Sequence, residues 1–325
     1  MSITVDPSGF TRLTTTSGVS MVVSTLGARL VELWVPDRDG ILGNVVVGLP
    51  TAQDYLQRAG LYLGCTVGRV AGRIPHSQFV GSGLSFDVEP NERGNHLHGG
   101  VVRSFDRVEW ELTTFDSGDV VTAEFHYLSP AGEEGYPGDV SVISQYDFSA
   151  QGVLTSTLTA HTTAATPVNL TTHAYWNLSG IAGSSITDHQ LDVDVASLIE
   201  TDDVQLPTGK LLSVGPELSL TARSWDDTFV LADVDHLTSA AATLRHSGTG
   251  RTLTLYTTEP AMQVYSGAYL PHEGLDAEHI LTPSGGVCLE PQRIIDNPVL
   301  PQFPSIVLQP EETYLHITRH RFTAE

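Results

Sequence analysis

The sequence has few cysteines, few basic residues and no long hydrophobic run. Its two cysteines, Cys65 and Cys288, provide neither a disulfide framework nor a CxxC metal or redox pair. The 16 lysines and arginines face 38 acidic residues, so the net charge of −22 repels nucleic acids and anionic membrane surfaces. No apolar stretch approaches the roughly 18 residues that span a bilayer. These absences exclude nucleic-acid and membrane partners and favour an acidic, soluble protein.

The N-terminal residues also lack a targeting signal. The segment MSITVDPSGFTRL has no basic start followed by an apolar run, so we expect no secretory signal and a cytoplasmic location. Hydrophobic residues make up 40% of the 325 positions, which provides enough apolar material for a large core. The chain shows no internal repeat and no low-complexity linker, which predicts a single domain over residues 1–325.

Short runs of alternating or β-branched residues are what the sequence does contain, separated by turns rich in glycine and proline. These runs predict strands at 21–24, 44–47, 120–125, 154–159, 191–195, 252–256 and 314–318. Helical periodicity is nearly absent, although 51–58 predicts one short helix with Thr51 as its N-cap. The pattern predicts an all-β fold, a large antiparallel β-sandwich with few short helices and with long loops that build a site.

The first polar cluster contains two arginines in the glycine-rich segment GCTVGRVAGRI. Glycine allows a ligand to approach the backbone closely. Arg69 and Arg73 are four residues apart, so in a strand they share one face. Two arginines so placed either pair with carboxylates or bind a ligand.

Two histidines follow in the segment NHLHGG. In a strand, His96 and His98 would share one face, and their spacing suits a metal. Most such pairs are not ligands, and no third ligand lies nearby in the sequence. Glu290 or His173 would have to reach them through folding.

A second cluster, VNLTTHAYWNLSG, places His173 among threonines and aromatic residues. Tyr175 and Trp176 suit the apolar faces of sugars as well as an ordinary core. His173 is therefore either a titrating functional group or a buried structural histidine.

A third cluster surrounds Glu290, which follows the apolar run VCL. A carboxylate in a buried strand is costly unless it is paired or functional. The alternative to a functional role is a salt bridge to Arg293 or to an arginine of the first cluster. Two further segments, SWDDTFVL and MQVYSG, place Asp226 and Gln263 among aromatic residues.

Taken in order, these segments resemble the aldose 1-epimerase (galactose mutarotase) family. The corresponding motifs are GRVAGRI with GRxANRI, NHLHGG with NxLHGG, NLTTHAYWNLSG with NLTNHxYxNLxG, WDDTF with FDHxF, QVYSG with QxYTG, and LEPQ with the ETQ segment. The resemblance implies a β-sandwich of the galactose-mutarotase type, also called a supersandwich. It also implies a free hexose or pentose as substrate, no cofactor and no metal.

The resemblance further implies a role for each residue that matches a family motif. Glu290 falls on the catalytic base and His173 on the catalytic acid, and His98 assists them. Arg73, Asp226 and Gln263 fall on residues that bind the sugar. Acid–base chemistry suits a change of anomer, because a base must take the proton of the anomeric hydroxyl while an acid protonates the ring oxygen. We expect the protein to act as a monomer or homodimer.

Four positions depart from the family motifs. Gly72 and Thr172 each replace an asparagine, Asp227 replaces a histidine, and Pro291 replaces the threonine beside the base. The proton-transfer residues are retained, whereas the contacts that select a sugar are altered. The preferred aldose therefore stays open.

Four alternatives remain at this point. The first is a hexose-phosphate mutarotase, with arginines of the first cluster binding the phosphate. The second is a non-catalytic carbohydrate-binding β-sandwich. The third is a glycosidase that pairs Glu290 with Asp226 or Asp227. The fourth is a metal-dependent enzyme that uses His96, His98 and Glu290.

Overall fold

The structure, a computed structural model, describes residues 2–221, 223–232 and 237–325. These residues contain one α-helix, α1 (Ala52–Gln57), which the hydroxyl of Thr51 caps by accepting a hydrogen bond from the backbone N–H of Asp54. The helix predicted at 51–58 is therefore confirmed. Single turns of 3₁₀-helix lie at Ala59–Leu61, Pro75–Ser77, Phe105–Arg107, Glu133–Gly135 and Ile186–Asp188. Within the described ranges, no helix has the length and apolarity needed to cross a bilayer.

Strands make up most of the regular secondary structure. The first ten are β1 (Ser2–Val5), β2 (Thr11–Thr14), β3 (Ser20–Ser24), β4 (Arg29–Pro36), β5 (Leu42–Asn44), β6 (Thr66–Val67), β7 (Arg73–Ile74), β8 (Gln78–Gly81), β9 (Leu84–Asp87) and β10 (His96–Leu97). The next ten are β11 (Glu111–Asp116), β12 (Val120–Ser129), β13 (Val140–Ser149), β14 (Val153–Thr162), β15 (Thr166–Pro167), β16 (Thr171–Thr172), β17 (Tyr175–Trp176), β18 (His189–Val193), β19 (Val195–Thr201) and β20 (Pro207–Leu212). The remainder are β21 (Glu217–Leu218), β22 (Asp226–Leu231), β23 (Ala242–His246), β24 (Arg251–Thr257), β25 (Ala261–Tyr265), β26 (Glu273–Gly274), β27 (Ile280–Leu281), β28 (Val287–Gln292), β29 (Val307–Leu308) and β30 (Tyr314–Ala324).

Three antiparallel sheets contain twenty of these strands. Their orders are β1-β2-β3-β4-β5, β11-β12-β13-β14-β30-β24-β23-β18-β21 and β17-β28-β25-β22-β19-β20. The other strands of the described residues form two-stranded pairs, including β6 with β16 and β7 with β10. The C-terminal strand β30 lies between β14 and β24, so the nine-stranded sheet joins distant parts of the chain.

Five of the seven predicted strands lie within observed ones, namely 21–24 in β3, 120–125 in β12, 154–159 in β14, 252–256 in β24 and 314–318 in β30. Of the strand predicted at 44–47, only Asn44 lies in β5, and Val46 forms an isolated antiparallel bridge with Trp176 of β17. At this point the side chain of Asn44 accepts hydrogen bonds from the backbone N–H groups of Leu33 and Val46, and the chain passes from β4 to β17. The run 191–195 is interrupted at Asp194, where the chain passes from the nine-stranded to the six-stranded sheet.

The main apolar core contains residues of all three large sheets. In the six-stranded sheet, Phe229, Met262, Val264, Val287 and Leu289 face this core. Successive side chains of a strand point to opposite faces, so the residues between them face away from the core. The predicted all-β antiparallel sandwich is thus confirmed, and the outer face of its six-stranded sheet is free to build a site.

Candidate active site

A cavity of about 330 Å³ lies on the outer face of the six-stranded sheet. All six residues singled out as site residues line it: Arg73, His98, His173, Asp226, Gln263 and Glu290. Strand register places three lining residues in one row, because Thr228 on β22 pairs with Gln263 on β25, which in turn pairs with Glu290 on β28. The volume falls within the range of small-molecule sites.

Glu290 and His173 meet inside this cavity. The Nε2 atom of His173 lies 3.5 Å from Oε1 of Glu290, and the two residues are only 4% and 1% exposed. The backbone of His173 is held on both sides, because its N–H donates to the Cys65 carbonyl and its carbonyl accepts from Gly64, each at 2.9 Å. Oε2 of Glu290 has no hydrogen-bond partner among the described residues. A buried carboxylate oxygen left in this way is available to a ligand.

Burial favours the neutral form of both members of the pair. It raises the pKa of Glu290 well above its ordinary value, and the nearby charge of Asp226 adds to this, while Arg73 opposes it. Burial also lowers the pKa of His173 to about 4. A neutral acid beside a neutral imidazole carries the same number of protons as a carboxylate beside an imidazolium. The pair can therefore hold one proton and move it between its two members.

His98 presents a defined donor to the same cavity. Its Nδ1 atom accepts the backbone N–H of Gly72 at 3.2 Å, so the neutral ring carries its own proton on Nε2. Desolvation lowers the pKa of His98 well below its ordinary value, and the neighbouring His173 and Arg73 lower it further. The ring packs edge-on against Tyr62, with ring centroids 4.7 Å apart, and Tyr62 also stacks on His173 at 5.8 Å.

The two arginines of the first cluster point to different places. The expectation that they share a strand face is wrong, because the chain between β6 and β7 is not a strand. Arg69 is 2% exposed and donates to the backbone carbonyls of Pro130 and Gly138, which makes its role structural. Arg73 lines the cavity, and its Nε donates to Glu92 at 3.0 Å.

The two histidines of the HxH segment also separate. His96 lies in β10, where Nδ1 contacts the Glu89 carbonyl at 2.7 Å and the ring packs on Tyr136. His98 follows β10 with a positive φ of 53° and turns into the cavity. The alternative of a metal site built on His96, His98 and Glu290 is therefore wrong, because His96 does not line the cavity that contains the other two residues.

Three potential ligand atoms, from His98, His173 and Glu290, do lie within 4.8 Å of one another. A metal would need the Nε2 lone pair of His98, which requires a proton on Nδ1. That nitrogen already accepts the N–H of Gly72. The donor arrangement therefore suits proton transfer better than metal coordination.

Asp226 and Gln263 form a hydrogen-bonded unit in the cavity. Nε2 of Gln263 donates to Oδ1 of Asp226 at 2.7 Å, and Oε1 of Gln263 accepts from the hydroxyl of Thr228 at 2.6 Å. Burial raises the pKa of Asp226, whereas Arg73 and the Gln263 hydrogen bond lower it. The unit leaves Oδ2 of Asp226 and one N–H of Gln263 open to a ligand.

The four departures from the family motifs have distinct effects. Gly72 lines the cavity with a φ of +86°, so the wall has no side chain there. Pro291 lies in β28, and its carbonyl accepts from Thr171 on the side away from β25, so the missing N–H removes no ladder bond. Asp227 faces the sheet side opposite Asp226 and pairs with Arg223. It is thus no candidate for a glycosidase pair with Glu290.

The fourth departure, Thr172, is 9% exposed and lies in the short strand β16, which pairs with β6 next to His173. Sequence reasoning missed several other lining residues, including Tyr62, Glu92 and Thr228. None of them carries a local signal, because each reaches the cavity only through folding. Cys288 lies two residues before Glu290 on the same strand face. Its Sγ atom is 3.4 Å from Nδ1 of His173.

A second carboxylate–imidazole cluster lies outside the residues that line the cavity. Asp188 contacts Nδ1 of His189 at 2.8 Å and Nε2 of His246 at 3.0 Å. The remaining nitrogen of His189 accepts the backbone N–H of Leu178 at 2.9 Å, so Nδ1 must carry the proton that it donates to Asp188. Because that proton occupies the nitrogen, this cluster is built for hydrogen bonding rather than for a metal.

Comparison with known proteins agrees with this geometry. The family described as Aldose 1-epimerase matches residues 10–321. A galactose mutarotase from Bos taurus is 35% identical over 91% of this chain and 89% of its own length, and the one from Homo sapiens is 34% identical with the same coverage. The solved structure of an aldose epimerase homologue from C. elegans superimposes with a TM-score of 0.87, at 25% identity over 97% of this chain and 99% of the other.

Proposed function

The chain belongs to the aldose 1-epimerase family and is an isomerase of free sugars, and we propose that Glu290 and His173 exchange the protons of the reaction. The observation that carries this proposal is the buried pair, with 3.5 Å between Nε2 and Oε1, at the wall of a cavity of sugar size. Burial favours the neutral form of both residues, so the pair holds one proton in total. Such a pair is suited to giving and taking protons.

Ring opening requires two proton transfers. The carboxylate of Glu290 takes the proton of the anomeric hydroxyl, and the electrons of that O–H bond form the carbonyl at C1. The bond between C1 and the ring oxygen breaks, and its electron pair takes a proton from Nε2 of the His173 imidazolium. Each positioned transfer contributes about 10²- to 10⁴-fold to the rate. Burial strengthens Glu290 as a base and His173 as an acid, because it destabilises both charged forms.

Ring closure reverses the two roles. After rotation about the C1–C2 bond, the sugar hydroxyl attacks the other face of the aldehyde. His173 takes the proton of that hydroxyl, and protonated Glu290 returns its proton to the new anomeric oxygen. The two residues end in their starting states, so the cycle needs no added acid or base.

The other lining residues bind and orient the sugar in this proposal. His98 donates from Nε2 to the ring oxygen or a hydroxyl, and Arg73 stabilises the negative charge that develops on oxygen. Asp226 accepts from a hydroxyl, and Gln263 donates to one. Together they hold the open-chain intermediate, so that it recloses before it leaves.

The charges around the cavity favour a neutral substrate over a sugar phosphate. Arg73 and Arg93 both pair with Glu92, at 3.0 and 3.4 Å. Arg293 faces Glu259 at 3.7 Å. A phosphate would have to displace these carboxylates, which costs the energy of existing ion pairs. A non-catalytic sugar-binding role is less favoured, because such a protein gains nothing from a buried carboxylate with an unpartnered oxygen.

The test is mutarotation of freshly dissolved α-anomers, followed by polarimetry. Glucose, galactose, xylose and arabinose are compared with glucose 6-phosphate, and Glu290→Gln is compared with the exposed control Glu311→Gln. We expect faster equilibration of neutral aldoses, which Glu290→Gln abolishes and Glu311→Gln leaves unchanged. Turnover of the phosphate alone would establish the hexose-phosphate alternative. Sugar binding without any turnover would establish the non-catalytic one.

The remaining expectations belong to the same proposal. We propose a single domain over residues 1–325, because one apolar core joins strands from Leu13 to Phe322. We also propose a cytoplasmic protein that needs no cofactor or metal and is a monomer or homodimer. Analytical sedimentation tests the oligomeric state. If no metal is needed, the mutarotation rate should be unchanged after treatment with a chelator.

A further inference from the structure

We propose that Thr228 is a positioning residue that fixes the side-chain amide of Gln263, so that the cavity recognises one sugar hydroxyl as donor and acceptor together. The proposal deepens the function proposed above and rests on it. Its basis is the hydrogen-bonded chain from Thr228 through Gln263 to Asp226, which joins two neighbouring strands on the cavity side of the sheet.

The register of the sheet builds this chain. Thr228 on β22 lies directly opposite Gln263 on β25, and Asp226 lies two residues earlier on the same face of β22. The amide of Gln263 therefore bridges two side chains of one neighbouring strand, with distances of 2.6 Å to the Thr228 hydroxyl and 2.7 Å to Oδ1 of Asp226. All three residues line the cavity.

The chemistry of the three groups determines the direction of each hydrogen bond. An ionised carboxylate can only accept, so the NH₂ end of Gln263 must face Asp226. The carbonyl end then faces Thr228, whose hydroxyl must donate. Threonine is stiff about its first side-chain torsion, so the hydroxyl oxygen holds a nearly fixed position. Asp226 thus prevents the amide from rotating by half a turn, and Thr228 anchors the carbonyl end of that amide.

With the amide fixed, the groups left for a ligand form a defined pattern. Asp226 has Oδ2 as an acceptor, and Gln263 has its second N–H as a donor. A sugar hydroxyl can donate to the first and accept from the second at once. A carbon without its hydroxyl can do neither, and a fluorine can at most accept. The arrangement therefore requires a hydroxyl at one position of the ring.

Loss of the Thr228 hydroxyl would give the amide another partner. Gln263 lies directly opposite Glu290 on its other side, and Oε2 of Glu290 has no partner among the described residues. A released amide would donate to that oxygen, because a buried unpaired carboxylate oxygen is costly. Thr228 therefore keeps Gln263 with the substrate-binding group and away from the base.

The experiment compares Thr228→Val with Thr228→Ser and with Thr243→Val. Valine has nearly the shape of threonine without its hydroxyl, and serine restores the donor. Thr243 is a half-buried threonine in β23 that lies outside the cavity lining, so it is the matched control. KM and kcat are measured by polarimetry for the best neutral aldose and for its monodeoxy analogues.

We expect the wild type to show one deoxy position with a KM raised about tenfold or more. Thr228→Val should raise KM for the parent sugar about tenfold while changing KM for that analogue little. Thr228→Ser should restore most of the discrimination, and Thr243→Val should match the wild type. A merely structural role would change all sugars alike.

Two results would overturn the proposal. One is a KM for the parent sugar that Thr228→Val leaves unchanged, and the other is an equal rise for the parent sugar and every deoxy analogue. If the wild type accelerates no mutarotation, the proposed function fails instead. The positioning role is then decided by calorimetric titration of the same variants with the parent sugar and its analogues.

Discussion

Two carboxylate–imidazole clusters in this molecule differ in how fully their atoms are paired. In the first, Glu290 and His173 stand 3.5 Å apart, and one oxygen of Glu290 has no partner among the described residues. In the second, Asp188 accepts from His189 and His246 at 2.8 and 3.0 Å. The first cluster lines a cavity, whereas the side chain of Asp188 is 61% exposed and meets water.

Under the proposed function, this contrast is one between a reactive site and a structural site. A fully paired cluster gains its energy in the folded protein and has nothing left to offer a ligand. A buried pair with an open oxygen is costly in the empty protein, and a substrate that fills it recovers that energy. The same residue types can therefore act as a catalyst or as a connection between strands, depending on which of their atoms remain unpaired.

The largest expected effect is on turnover. His173→Asn should lower kcat about 10²- to 10⁴-fold, because it removes one positioned proton transfer. His246→Asn should leave kcat within about twofold, because that ring contacts only the second cluster and its neighbours. Polarimetry measures both. The assignment of the acid is wrong if His173→Asn retains a rate close to that of the wild type.

The next effect is on the dependence of stability on pH. Burial lowers the pKa of His173 to about 4, while the unfolded side chain titrates near 6.5. The unfolded state binds the proton first, so stability is full above pH 6.5 and is lost as the pH falls toward 4. Between pH 7 and pH 4.5, this loss should be smaller in His173→Asn by about 2 kcal/mol.

Urea unfolding at pH 7 and at pH 4.5 measures that difference. The exposed His161 provides the control, because His161→Asn should leave the loss as it is in the wild type. An identical loss in His173→Asn and in the wild type would contradict the buried, neutral state of His173.

A smaller effect is expected at the second cluster. Asp188→Asn replaces an acceptor of two imidazole N–H groups by an amide that can accept fewer hydrogen bonds. Because the carboxylate is exposed and water can substitute for it, the loss of stability should be about 1 kcal/mol. Thermal unfolding measures this loss, and kcat should not change. A tenfold loss of kcat would mean that the second cluster also serves the reaction.

The smallest expected effect is a shift in the pH dependence of kcat/KM. The proposed acid–base pair must hold one proton, so kcat/KM should fall as the pH rises through the raised pKa of Glu290. The charge of Asp226 raises that pKa, so Asp226→Asn should move the alkaline limb to lower pH. Asp192→Asn, whose partner is Arg245, provides the control. If the alkaline limb of the kcat/KM profile is the same in Asp226→Asn as in the wild type, a group other than Glu290 determines it.

Much of the fold is predictable from local pattern. Alternation of apolar and polar residues at 120–125 and 154–159 predicts strands because it reflects burial on one side of a sheet. The pattern fails where a single side chain overrides it. Asn44 satisfies neighbouring backbone N–H groups and ends β5 early, and Asp194 marks a change of sheet that no periodicity records.

The candidate site is predictable in its members and less so in its arrangement. The order of polar motifs identifies Glu290, His173 and His98, and the structure brings them together in one cavity. The spacing of Arg69 and Arg73 predicts a shared face, yet one supports a loop and the other faces the cavity. Spacing is informative only where the secondary structure between two residues is regular.

The sequence by itself determined the residue types of the proposed acid–base pair, the strand-rich fold and the acidic surface, because each follows from composition and short-range order. Only the tertiary structure decided which atoms remain unpaired. It placed Glu290 beside His173, directed Thr228 to Gln263 and gave each oxygen of Asp188 an imidazole partner. The reason is that strand order and register depend on contacts between distant segments, which no local pattern specifies.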